Sequence, residues 1–208
     1  MNVEKYIEQH TSPQDEALEW LVRQTHLQTI HPRMLTGVVQ GRLLTMISAM
    51  LAPKRILEIG TFTGYSAICL SKGLAPGGVL HTIERNDELE ELIYKGISIA
   101  GQAEQIVLHI GDAVEIIPHM DETFDLVYID GDKREYIAYY EASLDKLRTG
   151  GFILADNVLW DGKVLEEPLP CDAQTQGITA FNAHIQADPR VENVLLPLRD
   201  GLMMARKL

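Results

Sequence analysis

From residue 55 onward the apolar positions fall into short, almost wholly hydrophobic runs separated by stretches with helical spacing. That is the pattern of buried parallel strands alternating with crossover helices. The runs are Ile56–Ile59, Val79–Ile83, Ile106–Ile110, Leu126–Ile129 and Phe152–Ala155. Between them the spacing predicts helices near Tyr65–Lys72, Asp87–Ala100, Val114–Ile117 and Glu135–Leu147. Upstream, Ser12-Pro13-Gln14-Asp15 reads as a helix start, with Ser12 as cap and Pro13 at the first helical position. Ala17, Leu18, Leu21 and Val22 then form an apolar stripe, and a second helix is expected from about Val38 to Leu51. Downstream, runs at Val191–Leu196 and Leu202–Arg206 are joined by only Pro197-Leu198-Arg199-Asp200-Gly201, a connection short enough to require an antiparallel pair. The predicted fold class is α/β: a doubly wound, mostly parallel seven-stranded sheet with an antiparallel C-terminal hairpin.

The 208 residues suit a single domain, 1–208, with N-terminal helices over about 1–51. No repeat, low-complexity tract or linker divides the chain. With 46% hydrophobic and 23% charged residues the composition is that of a globular fold, which excludes disorder. The charged start Met1-Asn2-Val3-Glu4-Lys5 has no signal-like apolar stretch, and the uncharged run from Leu43 to Pro53 falls far short of a span of roughly 20 residues. The expectation is a cytoplasmic protein without a membrane partner. Cys69 and Cys171 form no metal or redox motif and read as reduced thiols. A net charge of −12 disfavours nucleic acid as a partner.

In a doubly wound sheet ligands bind beyond the carboxyl ends of the strands, so the residues there carry the candidate chemistry. The first strand ends in Glu58-Ile59-Gly60-Thr61-Phe62-Thr63-Gly64-Tyr65-Ser66, a glycine-bearing turn into a helix that is neither GxGxxG nor a P-loop. The second ends at Glu84, 24 positions after Gly60, near the spacing at which an acid grips ribose hydroxyls. The third ends at Asp112-Ala113, where a carboxylate next to a small residue suits an adenine ring; Asp112 could equally cap the next helix. Together these suggest adenosine without a diphosphate.

The fourth and fifth strands end in Asp130 and in Asp156-Asn157. Two carboxylates and an amide oxygen converging there would repel unless a hard cation joined them, Mg²⁺ or Ca²⁺ in preference to zinc. The bland alternative is a helix cap and a turn former. Lys133, three residues beyond Asp130, would become a candidate general base if desolvated beside a metal. Trp160 opens the polar segment 161–176 and offers a stacking surface for a planar substrate, or a core contact.

The text from Leu57 to Ser66, Tyr128-Ile129-Asp130-Gly131-Asp132-Lys133, Asp156-Asn157-Val158-Leu159-Trp160 and Asp200-Gly201 resembles the metal-dependent O-methyltransferases that include the catechol and caffeoyl-CoA enzymes. The resemblance runs from about Met34 to Leu208 and implies strand order 3-2-1-4-5-7-6. It implies S-adenosylmethionine as cofactor, held by Glu58, Gly60, Ser66, Glu84, Asp112, Ala113 and Asp130. It implies Mg²⁺, or Ca²⁺ or Mn²⁺, on Asp130, Asp156 and Asn157, with Lys133 and Asp130 catalytic and Thr36 and Trp160 near the substrate. The larger residues that the animal catechol enzyme has between its metal aspartate and its lysine are not matched at Gly131.

The activity implied is methyl transfer to one hydroxyl of a catechol-like small molecule by a homodimer. The alternatives are a transfer-RNA hydroxyuridine O-methyltransferase of the same family, which the net charge disfavours, and a nicotinamide-dependent dehydrogenase, which the missing GxGxxG disfavours.

Overall fold

A computed structural model describes residues 2–208. The helices are α1 (Val3–Gln9), α2 (Glu16–Gln28), α3 (Val38–Leu51), α4 (Tyr65–Ser71), α5 (Glu90–Ile99), α6 (Ala113–Ile116), α7 (Tyr136–Lys146) and α8 (Ala173–Ala187). The strands are β1 (Arg55–Ile59), β2 (Val79–Glu84), β3 (Ile106–Ile110), β4 (Phe124–Ile129), β5 (Leu147–Asp156), β6 (Val191–Leu196) and β7 (Leu202–Lys207). They form a seven-stranded sheet in the order β3-β2-β1-β4-β5-β7-β6 that the family resemblance implies, with β5 to β7 antiparallel and β7 to β6 antiparallel as the short connection requires.

Residue packing groups the chain into two compact units. The first comprises the residues up to Lys54 together with Thr61–Ile110. Here β2 and β3 pair in parallel, Leu80 opposite Ile106 through Glu84 opposite Ile110. α2 presents Leu18 and Leu21, both buried, and α4 is buried along its whole length. The cap of α2 is Asp15, whose carboxylate accepts from the Leu18 amide at 3.1 Å, so the helix starts at Glu16 and not at Pro13. Asp15 also pairs with Lys72, a long-range partner that Ser12 does not have and that local capping preference cannot report. α1, which the apolar spacing did not predict, is exposed at Val3, Tyr6 and Ile7.

The stretch Pro32–Leu51 is apolar enough by composition to cross a membrane, with mean hydropathy 1.4. Its continuous helix, α3, has only 14 residues, which at 1.5 Å per residue falls short of a bilayer core of about 30 Å.

The second unit comprises Arg55–Gly60 and Gly111–Leu208. Its centre is the parallel trio β1, β4 and β5, with Ile56, Leu57, Leu126, Val127, Tyr128, Ile129, Leu154 and Ala155 at 0% exposure. Burial on both faces is why these strands read as unbroken apolar runs. β5 begins at Leu147, five residues before its predicted start: Leu147 pairs with Phe124, and the register then shifts across Arg148-Thr149-Gly150-Gly151 before Phe152 pairs with Leu126. α8, for which the spacing predicted no helix, starts inside the polar segment 161–176: Asp172 caps it by accepting from the Thr175 amide at 3.0 Å and from its hydroxyl at 2.7 Å. Cys69 is buried and Cys171 exposed, both as free thiols.

Candidate active site

Register creates the site. Ile129 of β4 lies opposite Ala155 of β5, so the next residue of each strand, Asp130 and Asp156, emerges at the same sheet end. The chain then turns: Asn157 takes φ 57, in the left-handed region where Asn is among the more tolerant residues. Asp156 is 2% exposed. Its Oδ2 accepts from the Tyr128 hydroxyl at 3.0 Å and its Oδ1 from the Asn157 amide at 2.8 Å. Burial pushes the Asp130 carboxyl up to about 6, opposed by the Lys133 charge and reinforced by Asp156. Like charges held together in a poorly solvated place are the condition that an added cation relieves.

Lys133 is 6% exposed. Its Nζ donates to Asp130 Oδ1 at 2.9 Å, to the Gly131 carbonyl at 3.2 Å and to the Tyr136 hydroxyl at 2.8 Å. Three acceptors around one nitrogen is the arrangement of an ammonium. Tyr136 in turn donates to the Asp156 carbonyl at 3.0 Å. Burial raises the Tyr136 and Tyr128 phenols well above the usual range, so both stay protonated and can donate. Neither tyrosine was singled out from the sequence. Each sits in an apolar run or on a helix where an aromatic reads as core, and only the position of its hydroxyl partner reveals more.

Gly60 follows β1 at φ +93, and a Cβ there would lie 2.3 Å from the Asp130 carbonyl oxygen. Only glycine permits that approach and that φ together. Gly131 is also hemmed in: a Cβ would meet the Tyr139 ring at 2.8 Å. Here, therefore, Tyr139 occupies the space that a larger residue would need, and Lys133 still reaches Asp130. Glu58 lies on β1 at 0% exposure, Asp112 caps α6 by accepting from the Val114 amide at 2.9 Å, and Ala113 is buried. Asp112 thus performs the capping role weighed as its alternative.

Trp160 comes within reach of the lysine: Lys133 Nζ is 5.9 Å from its ring centroid. Its loop is pinned to the β6–β7 turn by the Leu159 amide on the Asp200 carbonyl at 2.8 Å and the Val158 amide on the Gly201 carbonyl at 3.2 Å.

In the first unit Glu84, at the end of β2, uses both carboxylate oxygens on backbone: Oε2 accepts from the Phe62 amide at 2.7 Å and Oε1 from the Asn86 amide at 2.9 Å. Burial raises its carboxyl, against those hydrogen bonds. Ser66, second residue of α4, and Thr36, just before α3, are each 4% exposed.

Asp130, Asp156 and Asn157 offer oxygen only, two of the three charged, which is the donor chemistry of a hard divalent cation. A second acidic group, Glu141, His184 and Asp188, is already bridged by Arg190, which bonds Glu141 at 2.8 Å and Asp188 at 2.6 Å. A guanidinium fills the place that a cation would take there.

Comparison with known proteins identifies the family of the chain. Residues 8–208 fit the family model described as O-methyltransferase. A catechol O-methyltransferase of Niastella koreensis is 34% identical over 183 residues, covering 84% of this chain and 82% of that one. A caffeoyl-CoA O-methyltransferase of Petroselinum crispum is 32% identical over 189 residues, covering 84% and 77%. The crystal structure of the O-methyltransferase TomG from Streptomyces achromogenes, in complex with SAM, superposes with TM-score 0.92 at 31% identity, covering 99% of this chain and 95% of that one. The chain belongs to the O-methyltransferase family and is an S-adenosylmethionine-dependent enzyme of that family.

Proposed function

We propose that this enzyme methylates one hydroxyl of a vicinal dihydroxy-aromatic, catechol-like small molecule, with a divalent cation, Mg²⁺ foremost, held by Asp130, Asp156 and Asn157. The observation that supports the reading is that Asp130 and Asp156 emerge beside each other at the ends of two strands in register, with Lys133 bonded to Asp130 and Asn157 next along the chain. The catechol and caffeoyl-CoA activities named for the relatives of Niastella koreensis and Petroselinum crispum support the substrate class. When bound, the cation supplies Lewis acidity toward a phenol and a template for two adjacent oxygens.

The chain's own residues do the rest. Tyr128 and the Asn157 amide hold both oxygens of Asp156 in place. Lys133 is the general base of the reading. As a neutral amine it keeps two N–H donors, enough for two of its three present contacts, while its lone pair accepts the proton of the substrate hydroxyl. Tyr136, accepting from Nζ and donating to the Asp156 carbonyl, keeps that nitrogen over the site. Methyl transfer cancels the sulfonium charge against the oxyanion, so the protein contributes mainly position and a dry surround. Glu84, Gly60 and Ser66 are assigned to the cofactor in the same reading, with Asp112 and Ala113 toward its adenine.

The test pairs substrates. A catechol should be methylated far faster than its monohydroxy counterpart, excess EDTA should abolish turnover, and Mg²⁺ should restore it. Equal rates on the two substrates, or full activity in EDTA with no retained metal by elemental analysis, overturns the reading. Efficient transfer to hydroxyuridine-containing transfer RNA with none to any catechol replaces it with the RNA alternative.

A further inference from the structure

We infer that Trp160 and Lys163 form an anion-selecting platform, so that the preferred acceptor is a dihydroxy-aromatic acid. The inference rests on the catechol reading above and specifies its substrate class.

The loop after β5 is held in an unusual backbone. Asn157, Trp160 and Asp161 take φ values of 57, 50 and 53, where non-glycine residues are disfavoured, and Gly162 follows at 78. Strain of this kind persists only where the surroundings over-determine it, and it concentrates at ligand sites. Here the Asp200 and Gly201 carbonyls and the Asp200 carboxylate fix the loop through the Leu159, Val158 and Asp161 amides.

The fixed loop sets the indole within reach of two lysines: Lys133 Nζ and Lys163 Nζ each lie 5.9 Å from the Trp160 ring centroid. The Trp160 Nε1 is buried and has no hydrogen-bond partner among the described residues. A buried N–H without an acceptor is costly, and each such group calls for a partner. Lys163 makes no salt bridge among the described residues: the Asp172 carboxylate that feels its charge is already held by the Thr175 amide and hydroxyl. The loop therefore combines an aromatic face and an uncommitted cation.

A flat acceptor with its reacting hydroxyl toward Lys133 extends along the ring that Lys163 also overlies. A carboxylate at its far end meets the Lys163 charge. At −12 net charge the molecule as a whole repels an anion, so a local cation is what makes an acidic substrate acceptable.

The test uses the full chain with S-adenosylmethionine and Mg²⁺, and compares 3,4-dihydroxybenzoate, its methyl ester and 3,4-dihydroxyphenethylamine by kcat/KM. The expected order is acid, then ester, then amine, with acid over ester by roughly tenfold, the scale of one hydrogen bond between charged partners. Lys163→Met should lower the acid-to-ester ratio about tenfold through KM, and Lys163→Arg should restore it. Equilibrium binding provides a readout without turnover. In a Trp20→Phe background Trp160 is the sole tryptophan of the two in the chain, and its fluorescence should saturate with 4-hydroxy-3-methoxybenzoate but not with the ester at the same concentrations. An ester preferred over the acid, or an acid-to-ester ratio unmoved by Lys163→Met, overturns the inference and leaves the catechol reading standing. Turnover of none of the three, with S-adenosylmethionine binding intact by calorimetry, removes both.

Discussion

Gly60→Ala isolates the contact on which the site depends. Two costs add at that position. An alanine at φ +93 occupies the left-handed region, at about 1–2 kcal/mol. Its Cβ would stand 2.3 Å from the Asp130 carbonyl oxygen and 2.7 Å from its carbon, so the two backbones must part by roughly an ångström to reach ordinary contact, an overpacking cost of about 1–3 kcal/mol. The carbonyl has little freedom to retreat, because the Asp130 amide is bonded to the Ile59 carbonyl at 2.8 Å and β4 is paired on both sides.

The expected loss of stability is therefore about 2–5 kcal/mol, or roughly 4–20 °C in Tm for a chain of this size. Gly77→Ala is the matched control: its φ is +74 but nothing lies within 4 Å of the added Cβ. It should show the conformational cost alone, roughly 2–8 °C by the same conversion. Scanning calorimetry on both variants measures the difference, and steady-state kinetics adds the functional half. Displacing Asp130 should reduce kcat/KM in Gly60→Ala much more than in Gly77→Ala. Equal Tm losses, or wild-type kcat/KM in Gly60→Ala, would refute the claim that the Gly60–Asp130 approach shapes the site.

Lys133→Ala should lower kcat by roughly 10²–10⁴-fold, the usual scale for a positioned base, with part of the loss returning at high pH. Tyr136→Phe should lower it less, since Asp130 and the Gly131 carbonyl still hold the amine; equal losses in the two variants would contradict the positioning role. Glu84→Ala should weaken S-adenosylmethionine binding by calorimetry about tenfold or more, because it also releases the Phe62 and Asn86 amides; unchanged affinity would remove Glu84 from the cofactor site. Asp188, bonded by Arg190 and Tyr140, has its carboxyl held well below the usual range. The stability it contributes is present above the ordinary aspartate value of about 4 and is lost as pH falls through that value toward the lowered one. Urea midpoints should thus show Asp188→Asn less stable at pH 7 and less sensitive to acid, and parallel pH profiles for wild type and variant would count against the pairing.

Much of this architecture is legible along the chain, because burial on both faces of a parallel sheet leaves a mark at every position of the strand. Ile56–Ile59, Val79–Ile83, Ile106–Ile110 and Leu126–Ile129 lie within the observed strands, ending at most one residue short of them. An acid that interrupts such a run stands out, so Glu84, Asp130 and Asp156 were visible as strand-end candidates. Helix starts were less legible. Asp15 rather than Ser12 caps α2, because Lys72, 57 positions away, favours the aspartate. α8 begins inside a polar segment, since Asp172 and Thr175 form its cap from residues that equally suit a loop. β5 runs back past Gly150-Gly151 to Leu147 because Leu147 pairs with Phe124 across a shift in register, a contact that no local pattern reports. The site's supporting groups Tyr128 and Tyr136, and the placing of Lys163 beside the ring of Trp160, were beyond reach for the same reason. Periodicity reports whether a side chain is buried, which is a local average over the chain's two faces. Which atom its polar end meets depends on the register between strands and on turns tens of residues apart, and that is fixed only when the chain packs.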